Sequence, residues 1–220
     1  MAYILENTES IYIFKDTDMS TFSLNNLKSQ FTITNERILT EQDANIVFKL
    51  FELIDLFAGQ HAGIIEKLKE EKQKVDMTTL RKKLRDAWYA DPSIIDAFLA
   101  KHADALTDQE KEILLSWKKP IVGRFLCMKY FPEYAVMKLL EENDDNFYGI
   151  LGLTQDFDRV VPQTPPCVID TALLPFQDKI IWDGFVAVLN APLNRNMCKS
   201  MIEDCKKFRR YGLIKTSLNI

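Results

Sequence analysis

The sequence predicts an α+β protein: an N-terminal helical region, then a small antiparallel sheet, curled or closed into a barrel, and a C-terminal helix. Three observations predict this fold. Apolar residues recur at helical spacing from Thr40 to about Lys119. Glycine and proline number three before Pro120 and twelve from Pro120 onward, which marks a change from helices to turns. Short runs of β-branched and aromatic residues fill that second region, as in strands.

The composition is that of a globular protein. A chain of 220 residues can bury roughly 70% of its unfolded surface, and 47% hydrophobic with 27% charged residues argues against extensive disorder. The formal net charge of −4 argues against coating nucleic acid over the whole surface, but permits a local basic patch. Glu6 and Glu9 lie where a secretory signal would carry Lys or Arg. No apolar run approaches the length of about 18 residues that a transmembrane helix needs. We therefore expect a cytoplasmic protein with no membrane partner.

Residues 1–39 contain two strand-like runs and no helical pattern. The runs "SIYIFKD" and "QFTITNE" are β-branched and aromatic, and predict a hairpin that joins the later sheet or caps the helices.

Residues 40–119 predict a bundle of about four helices. Thr40 is the expected N-cap of the first helix, because acidic residues follow it. Asp91 caps a later helix with Pro92 in its first turn, and Thr107 with Glu110 forms a capping box. The apolar positions at helical spacing are Ile46, Val47, Leu50, Ile54, Phe57, His61, Ile64 and Leu68, followed by Leu80, Leu84 and Trp88.

Residues 120–190 predict five short antiparallel strands. Their runs are "IVGRFLCMKYF", "EYAVMKLLE", "FYGILGL", "CVIDTALL" and "KIIWDGFVAVL". Residues Pro175 to Lys179 are expected to form a turn. The Asp183-Gly184 pair is compatible with a hairpin turn or with a glycine bulge in one long strand. We favour the bulge, because a turn would leave a very short strand before it.

Residues 191–220 predict a basic helix from Leu193 to about Tyr211, with Gly212 as its C-cap. Cys198 and Cys205 lie on its apolar face with Met201, Ile202 and Phe208, which favours buried thiols over a metal or redox pair. The other two cysteines, Cys127 and Cys167, form no CxxC motif either.

Three segments in order resemble a group of uncharacterised bacterial and archaeal proteins. They are "VGRFLCMKYFPEYAVM", "FYGILGL" and "DTALLPFQDKIIWDGF", within about residues 115 to 190. The resemblance implies a shared β-rich module and no known activity. Some relatives carry a SEC-C zinc motif, but the cysteines of this chain do not match its spacing, so the resemblance implies no zinc here.

Few residues are suited to catalysis. The sequence has no glycine-rich phosphate loop and no GxSxG elbow, and we expect no cofactor. His61, on an apolar stripe, and His102, at a helix end, are predicted to have core or capping roles. Carboxylates are the remaining candidates: Asp170, Asp178 and Asp183, with Asp156 and Asp158 nearby, would support metal-assisted phosphodiester hydrolysis if they converged. The simpler interpretation is structural: Asp178 lies in a predicted turn and Asp183 precedes glycine, and aspartate favours both places for local hydrogen bonding.

Charge is concentrated at the C-terminus. Residues 191–220 carry seven Lys/Arg against two Asp/Glu. The candidate binding residues for nucleic acid or an acidic protein are Lys206, Lys207, Arg209, Arg210, Tyr211 and Lys215. A solvated helix end explains the same cations through the helix dipole. A second basic run, Arg81, Lys82, Lys83 and Arg85, is predicted to lie on a solvated helix face.

The sequence therefore favours a non-enzymatic binding or adaptor protein that engages nucleic acid or a nucleoprotein. Two alternatives stay open: a metal-dependent phosphodiesterase or nuclease that uses the aspartates, and a protein-interaction regulator of the phage- or defence-associated kind.

Overall fold

A computed structural model describes residues 3–7, 10–14, 37–70, 75–141, 144–161 and 163–218. These ranges contain seven α-helices and eight strands, in the order β1 (Tyr3–Asn7), β2 (Ser10–Phe14), α1 (Glu41–His61), α2 (Ile64–Glu70), α3 (Met77–Ala90), α4 (Ser93–His102), α5 (Asp108–Ser116), β3 (Ile121–Tyr130), β4 (Ala135–Leu139), β5 (Phe147–Ile150), α6 (Phe157–Val160), β6 (Cys167–Phe176), β7 (Lys179–Trp182), β8 (Ala187–Leu189) and α7 (Arg195–Arg210). The predicted α+β class is confirmed.

The helical region begins where its caps predict. The Thr40 side chain accepts a hydrogen bond from the Asp43 backbone N–H at 3.1 Å, and the Thr107 capping box is complete. Helix α4 starts one residue later than expected, at Ser93, whose backbone N–H donates to Asp91 at 3.0 Å. The first apolar stripe spans two helices instead of one, because the chain turns at Gly63 with a φ of 66°.

The larger sheet is antiparallel and strongly curled. Its strand order is β5-β4-β3-β6-β7, and β8 also pairs with β6. The curl brings the two ends of the sheet together, since the N–H of Leu151, just after β5, donates to the Ile180 carbonyl on β7 at 2.9 Å. The predicted curled sheet is thus a half-barrel.

A bulge interrupts the last predicted strand. Trp182 pairs with Leu173, and Ala187 pairs with Asp170, so four residues, 183–186, lie opposite two residues of β6. Strands β7 and β8 therefore run along the same edge of β6, and the hairpin-turn interpretation of Asp183-Gly184 is wrong. Gly184 adopts a φ of 87°, a conformation that favours glycine.

The hairpin before this bulge is tighter than predicted. Pro175 and Lys179 lie in β6 and β7, so the turn between the strands is Gln177-Asp178, with Gln177 at a φ of 55°. Paired strands on either side of a two-residue loop leave no room for the five-residue turn expected from the sequence.

The sheet is covered on both faces. Along β3, Phe125 and Cys127 pack into a core shared with the helical region, whereas Leu126 and Met128 pack into a second core beneath α7. This alternation follows from the two-residue period of a strand. Helix α5 is fixed to the first face by the Trp117 indole N–H, which donates to the Pro175 carbonyl at 3.0 Å.

The described part of the N-terminal region is a hairpin. Strand β2, which contains "SIYIF", pairs with β1 in a two-stranded sheet. Only two residues separate the paired strands, so the chain entropy lost in closing the loop is small. The segment 30–36 lies outside the described residues.

Helix α7 begins at Arg195, two residues after the predicted start, because Asn194 acts as its cap and accepts the Asn196 N–H at 2.9 Å. It ends as predicted at Gly212, which has a φ of 66°. The Leu213 N–H donates to the Phe208 carbonyl at 2.8 Å, and the Gly212 N–H to the Arg209 carbonyl at 3.1 Å. These two bonds define a Schellman motif.

Segments distant in sequence meet along β5 and the residues after it. The Gly149 N–H donates to the Lys215 carbonyl at 2.8 Å, and the Lys215 N–H donates to the Phe147 carbonyl at 2.8 Å. The Leu39 N–H donates to the Gly152 carbonyl at 3.0 Å. Residues from both ends of the described chain thereby hold this edge of the sheet.

Candidate functional site

The three candidate catalytic aspartates do not converge. Asp170 lies within β6 with its side chain partly exposed and 3.3 Å from Arg124. Asp178 is exposed in the turn after β6, about 20 Å further along the strand. Asp183 is buried in the bulge. Within the described ranges, no group of three or more His, Cys, Asp or Glu side chains is arranged to hold a metal ion.

Asp156 and Asp158 instead share one cation. Arg37 Nη2 lies 2.6 Å from a carboxylate oxygen of Asp156 and 3.4 Å from one of Asp158. These contacts connect the segment before α1 to α6. Both carboxylates therefore have a structural role as ion-pair partners of Arg37.

Asp183 is the acceptor of a buried polar network. Its side chain is 0% exposed. One oxygen accepts from Arg85 Nη1 at 2.7 Å and from the Tyr89 hydroxyl at 3.2 Å, and the other accepts the Phe185 N–H at 3.0 Å. Burial raises the pKa of Asp183, and the Arg85 guanidinium opposes that shift. The network fixes the bulge to helix α3.

Arg85 corrects the prediction for the second basic run. Lys82 and Lys83 are exposed as expected, but the Arg85 side chain is 11% exposed, and Arg81 is half-buried. The Arg85 guanidinium lies over the Phe185 ring, 4.7 Å from its centroid. This side of α3 is buried because the bulge of the sheet packs on it.

A second buried carboxylate lies beside this network. Asp55 of α1 accepts the Trp88 indole N–H at 2.9 Å. Burial raises the pKa of Asp55 to about 7, although the Trp88 hydrogen bond and the nearby Arg81 and Arg85 lower it. Burial therefore favours the protonated form of Asp55 more than that of an exposed aspartate.

The six candidate binding residues of the C-terminal region occupy different places. Lys206 pairs with Glu203 at 2.6 Å, Lys207 with Asp204 at 3.4 Å, and Arg209 with Glu133 at 3.0 Å. The other three are exposed, namely Arg210, Tyr211 and Lys215. These exposed ion pairs contribute about 0–1 kcal/mol each, so the lysines and arginines stay accessible to a stronger anion.

Part of this set lines a groove between α7 and β3, which we call the α7 groove. It has a volume of about 410 Å³ and is lined by Met128, Lys129, Tyr130, Pro165, Ile202 and Lys206. The next residue after Tyr130, Phe131, has Lys129 Nζ 5.2 Å and the Arg209 guanidinium 4.2 Å from its ring centroid.

Helical periodicity places three further cations near Lys206 on α7. Lys199 lies seven residues before Lys206, and Arg209 and Arg210 lie three and four residues after it, so the four lie on one flank of α7, and we call them the basic ridge. Lys207 is rotated by about 100° from Lys206, to the side away from Ile202, which lines the α7 groove. With Lys129, the ridge has five cations against Glu133 and Glu203, a net charge of +3.

Neither histidine is buried. His61 is exposed and stacks on Phe57 with the ring centroids 5.7 Å apart, so of its two predicted roles, core or helix end, the structure excludes only the core. Although His61 follows the apolar stripe of α1, it lies in the last turn of that helix, where the helical core ends. His102 lies at a helix end as predicted and also contacts Phe57, at 5.8 Å.

The four cysteines are free and buried, as the sequence predicts. Cys127 and Cys167 lie directly opposite each other on β3 and β6, and Cys198 and Cys205 lie on the buried side of α7.

Sequence reasoning missed Asp55, Tyr89 and Lys129. Asp55 had a detectable signal, since it lies next to Ile54 on the apolar stripe of α1. Tyr89 and Lys129 had none, because their roles depend on partners such as Asp183, which lies 94 residues from Tyr89.

Comparisons with protein-family models, curated proteins and solved structures found no match to this chain. The fold defines an α+β protein with a half-barrel sheet between a helical region and a terminal helix. Among the residues that the structure describes, no helix has the length and apolar character required to cross a membrane.

Proposed function

We propose that the protein is a cytoplasmic, non-enzymatic binding module that engages single-stranded nucleic acid through the α7 groove and the basic ridge. The observation that carries this proposal is the combination of an apolar groove with cations on both of its sides. Lys129 borders it from β3 and Lys206 from α7. Proteins that bind single strands combine a basic track for the phosphates with apolar or aromatic surfaces for the bases.

A single strand suits this site, because its unpaired bases are free to enter the groove. Phosphates would follow the basic ridge, and a base would enter the groove beside Tyr130, Met128 and Ile202. Each phosphate that replaces Glu203 or Glu133 as the partner of a cation releases counterions, and this release gives a favourable, salt-dependent term.

The proposal is tested by fluorescence anisotropy with labelled 20-nucleotide dT and mixed-sequence RNA at several salt concentrations. We expect the triple variant Lys206→Gln, Arg209→Gln, Arg210→Gln to bind at least tenfold more weakly. The slope of log K against log salt concentration should be smaller in magnitude by about 2, since each phosphate contact removed lowers it by roughly 0.7.

A matched control removes three exposed cations elsewhere: Lys82→Gln, Lys83→Gln, Lys119→Gln. This variant has the same net charge as the first and should bind like the wild type. Equally weakened binding by both variants would mean that only the net charge matters and would contradict binding at the α7 groove. Absence of binding to both the dT and the RNA oligonucleotide at low salt would also refute the proposal.

An acidic protein partner is the second candidate for the same surface. It is favoured by Tyr211 and Leu213 at the end of α7, which are 71% and 56% exposed beside the cations. Aromatic and apolar side chains next to arginine are typical of protein interfaces. Co-purification from lysate with and without nuclease separates the two, because a protein partner survives nuclease treatment and is lost in the triple variant.

A further inference from the structure

A second groove lies on the other face of the sheet, where the helical region meets the bulge. Its volume is about 210 Å³, and we call it the bulge groove. It is lined by Phe48, Phe51, Arg81, Leu153, Thr154, Gln155, Val160, Trp182 and Gly184.

A buried donor in its wall lacks a partner. Trp182 is 7% exposed, and its indole Nε1 has no hydrogen-bond acceptor among the described residues. The other two tryptophans contrast with it, because Trp88 donates to Asp55 and Trp117 donates to the Pro175 carbonyl. A buried N–H without an acceptor is costly, and most buried donors in proteins have one.

A cation in the same wall is also unpaired. Arg81 is half-buried and lies over the Phe185 ring at 5.7 Å, but it makes no hydrogen bond or ion pair within the part of the chain that the structure describes. Its neighbouring carboxylates, Glu52 and Asp55, make no ion pair with it, although Arg81 lowers the pKa of each against the effect of burial.

The walls set the size and the shape of a ligand. Phe48, Phe51 and Trp182 provide aromatic surface, and the polar Thr154 and Gln155 are exposed at the rim. A cavity of about 150 Å³ holds benzene, so this groove has room for one aromatic ring and a short side arm.

We propose that the bulge groove binds a small aromatic carboxylate, with its ring against Phe51 and Trp182 and its carboxylate on Arg81. A carboxylate matches the planar guanidinium in shape, and its single charge matches the one cation present. A phosphate dianion would carry a second negative charge without a partner. This site lies across the sheet from the α7 groove and does not depend on the proposed nucleic-acid function.

The test uses phenylacetate as the probe and phenylacetamide as its uncharged counterpart. Titration of the ¹⁵N-labelled protein is followed by the Trp182 indole resonance, assigned by its loss in Trp182→Phe. We expect that resonance to shift with a Kd below about 1 mM for phenylacetate, and at least tenfold weaker binding for phenylacetamide. Both titrations use the unmodified protein, and Trp182→Phe serves only to assign the resonance.

Two variants then locate the charge. Arg81→Gln should weaken phenylacetate binding at least tenfold, and the exposed neighbour Lys82→Gln should leave it unchanged. The proposal is overturned if 10 mM phenylacetate does not move the Trp182 indole resonance, if the acid and the amide bind equally, or if Arg81→Gln binds as the wild type does.

Discussion

Asp183→Ala should destabilise the protein by about 3 kcal/mol, because it removes the acceptor of three donors at once. The lost contacts are those from Arg85 Nη1 at 2.7 Å, the Tyr89 hydroxyl at 3.2 Å and the Phe185 N–H at 3.0 Å. Breaking a buried ion pair costs about 3–5 kcal/mol when the remaining charge has no other partner. Arg85 keeps its contact with Asp86 at 2.6 Å, so we expect the lower end of that range.

Urea unfolding followed by tryptophan fluorescence and by circular dichroism measures this loss. The control is Asp178→Ala, in the exposed turn one strand earlier, which should change the free energy of unfolding by less than about 0.5 kcal/mol. A double-mutant cycle with Arg85→Met should give a coupling energy of at least about 1.5 kcal/mol between the two side chains. A loss below 1 kcal/mol for Asp183→Ala, or a coupling near zero, would refute the assignment of this network as the attachment of the bulge to α3.

Three further predictions concern single residues. Burial raises the pKa of Asp55 to about 7, above its value of about 3.9 in the unfolded chain. The stability contributed by protonated Asp55 is therefore complete below about pH 4 and is lost as the pH rises through 7, by at most about 4 kcal/mol. Asp55→Asn should flatten this pH dependence in urea unfolding at pH 5 and pH 8. Thr107→Ala removes the hydroxyl that accepts the Glu110 N–H and should cost about 1 kcal/mol in chemical unfolding, whereas no change would mean that the capping box does not stabilise α5. Gly212→Ala should cost about 1 kcal/mol from its φ of 66° alone, since a Cβ atom there meets nothing within 4 Å, and an unaltered thermal midpoint would contradict this origin.

Local features of the fold were predictable because their causes lie within a few residues. The caps at Thr40 and Thr107, the Gly212 terminus and the bulge at Asp183-Gly184 each depend on side chains next to one another in sequence. Strand and helix periodicity likewise placed the change from helices to strands near Pro120.

The partners of polar side chains were not predictable, because they come from distant segments. Arg85 looked like one member of a solvated basic run, and Asp183, its partner, lies 98 residues away. The α7 groove similarly depends on Lys129, which the fold brings beside a helix that begins more than 60 residues later. Its cations were predictable as a cluster, but the groove was not.

Strand edges that lack a neighbour can recruit strands from other molecules, which is a common route to aggregation. In this protein, Lys215 supplies backbone partners along β5, and Ile180 and Leu39 supply them just beyond it, where the sheet would otherwise end. The segment after α7 thus occupies backbone groups of β5 that could pair with another molecule. Removal of this segment would therefore leave those groups open to strands of other molecules.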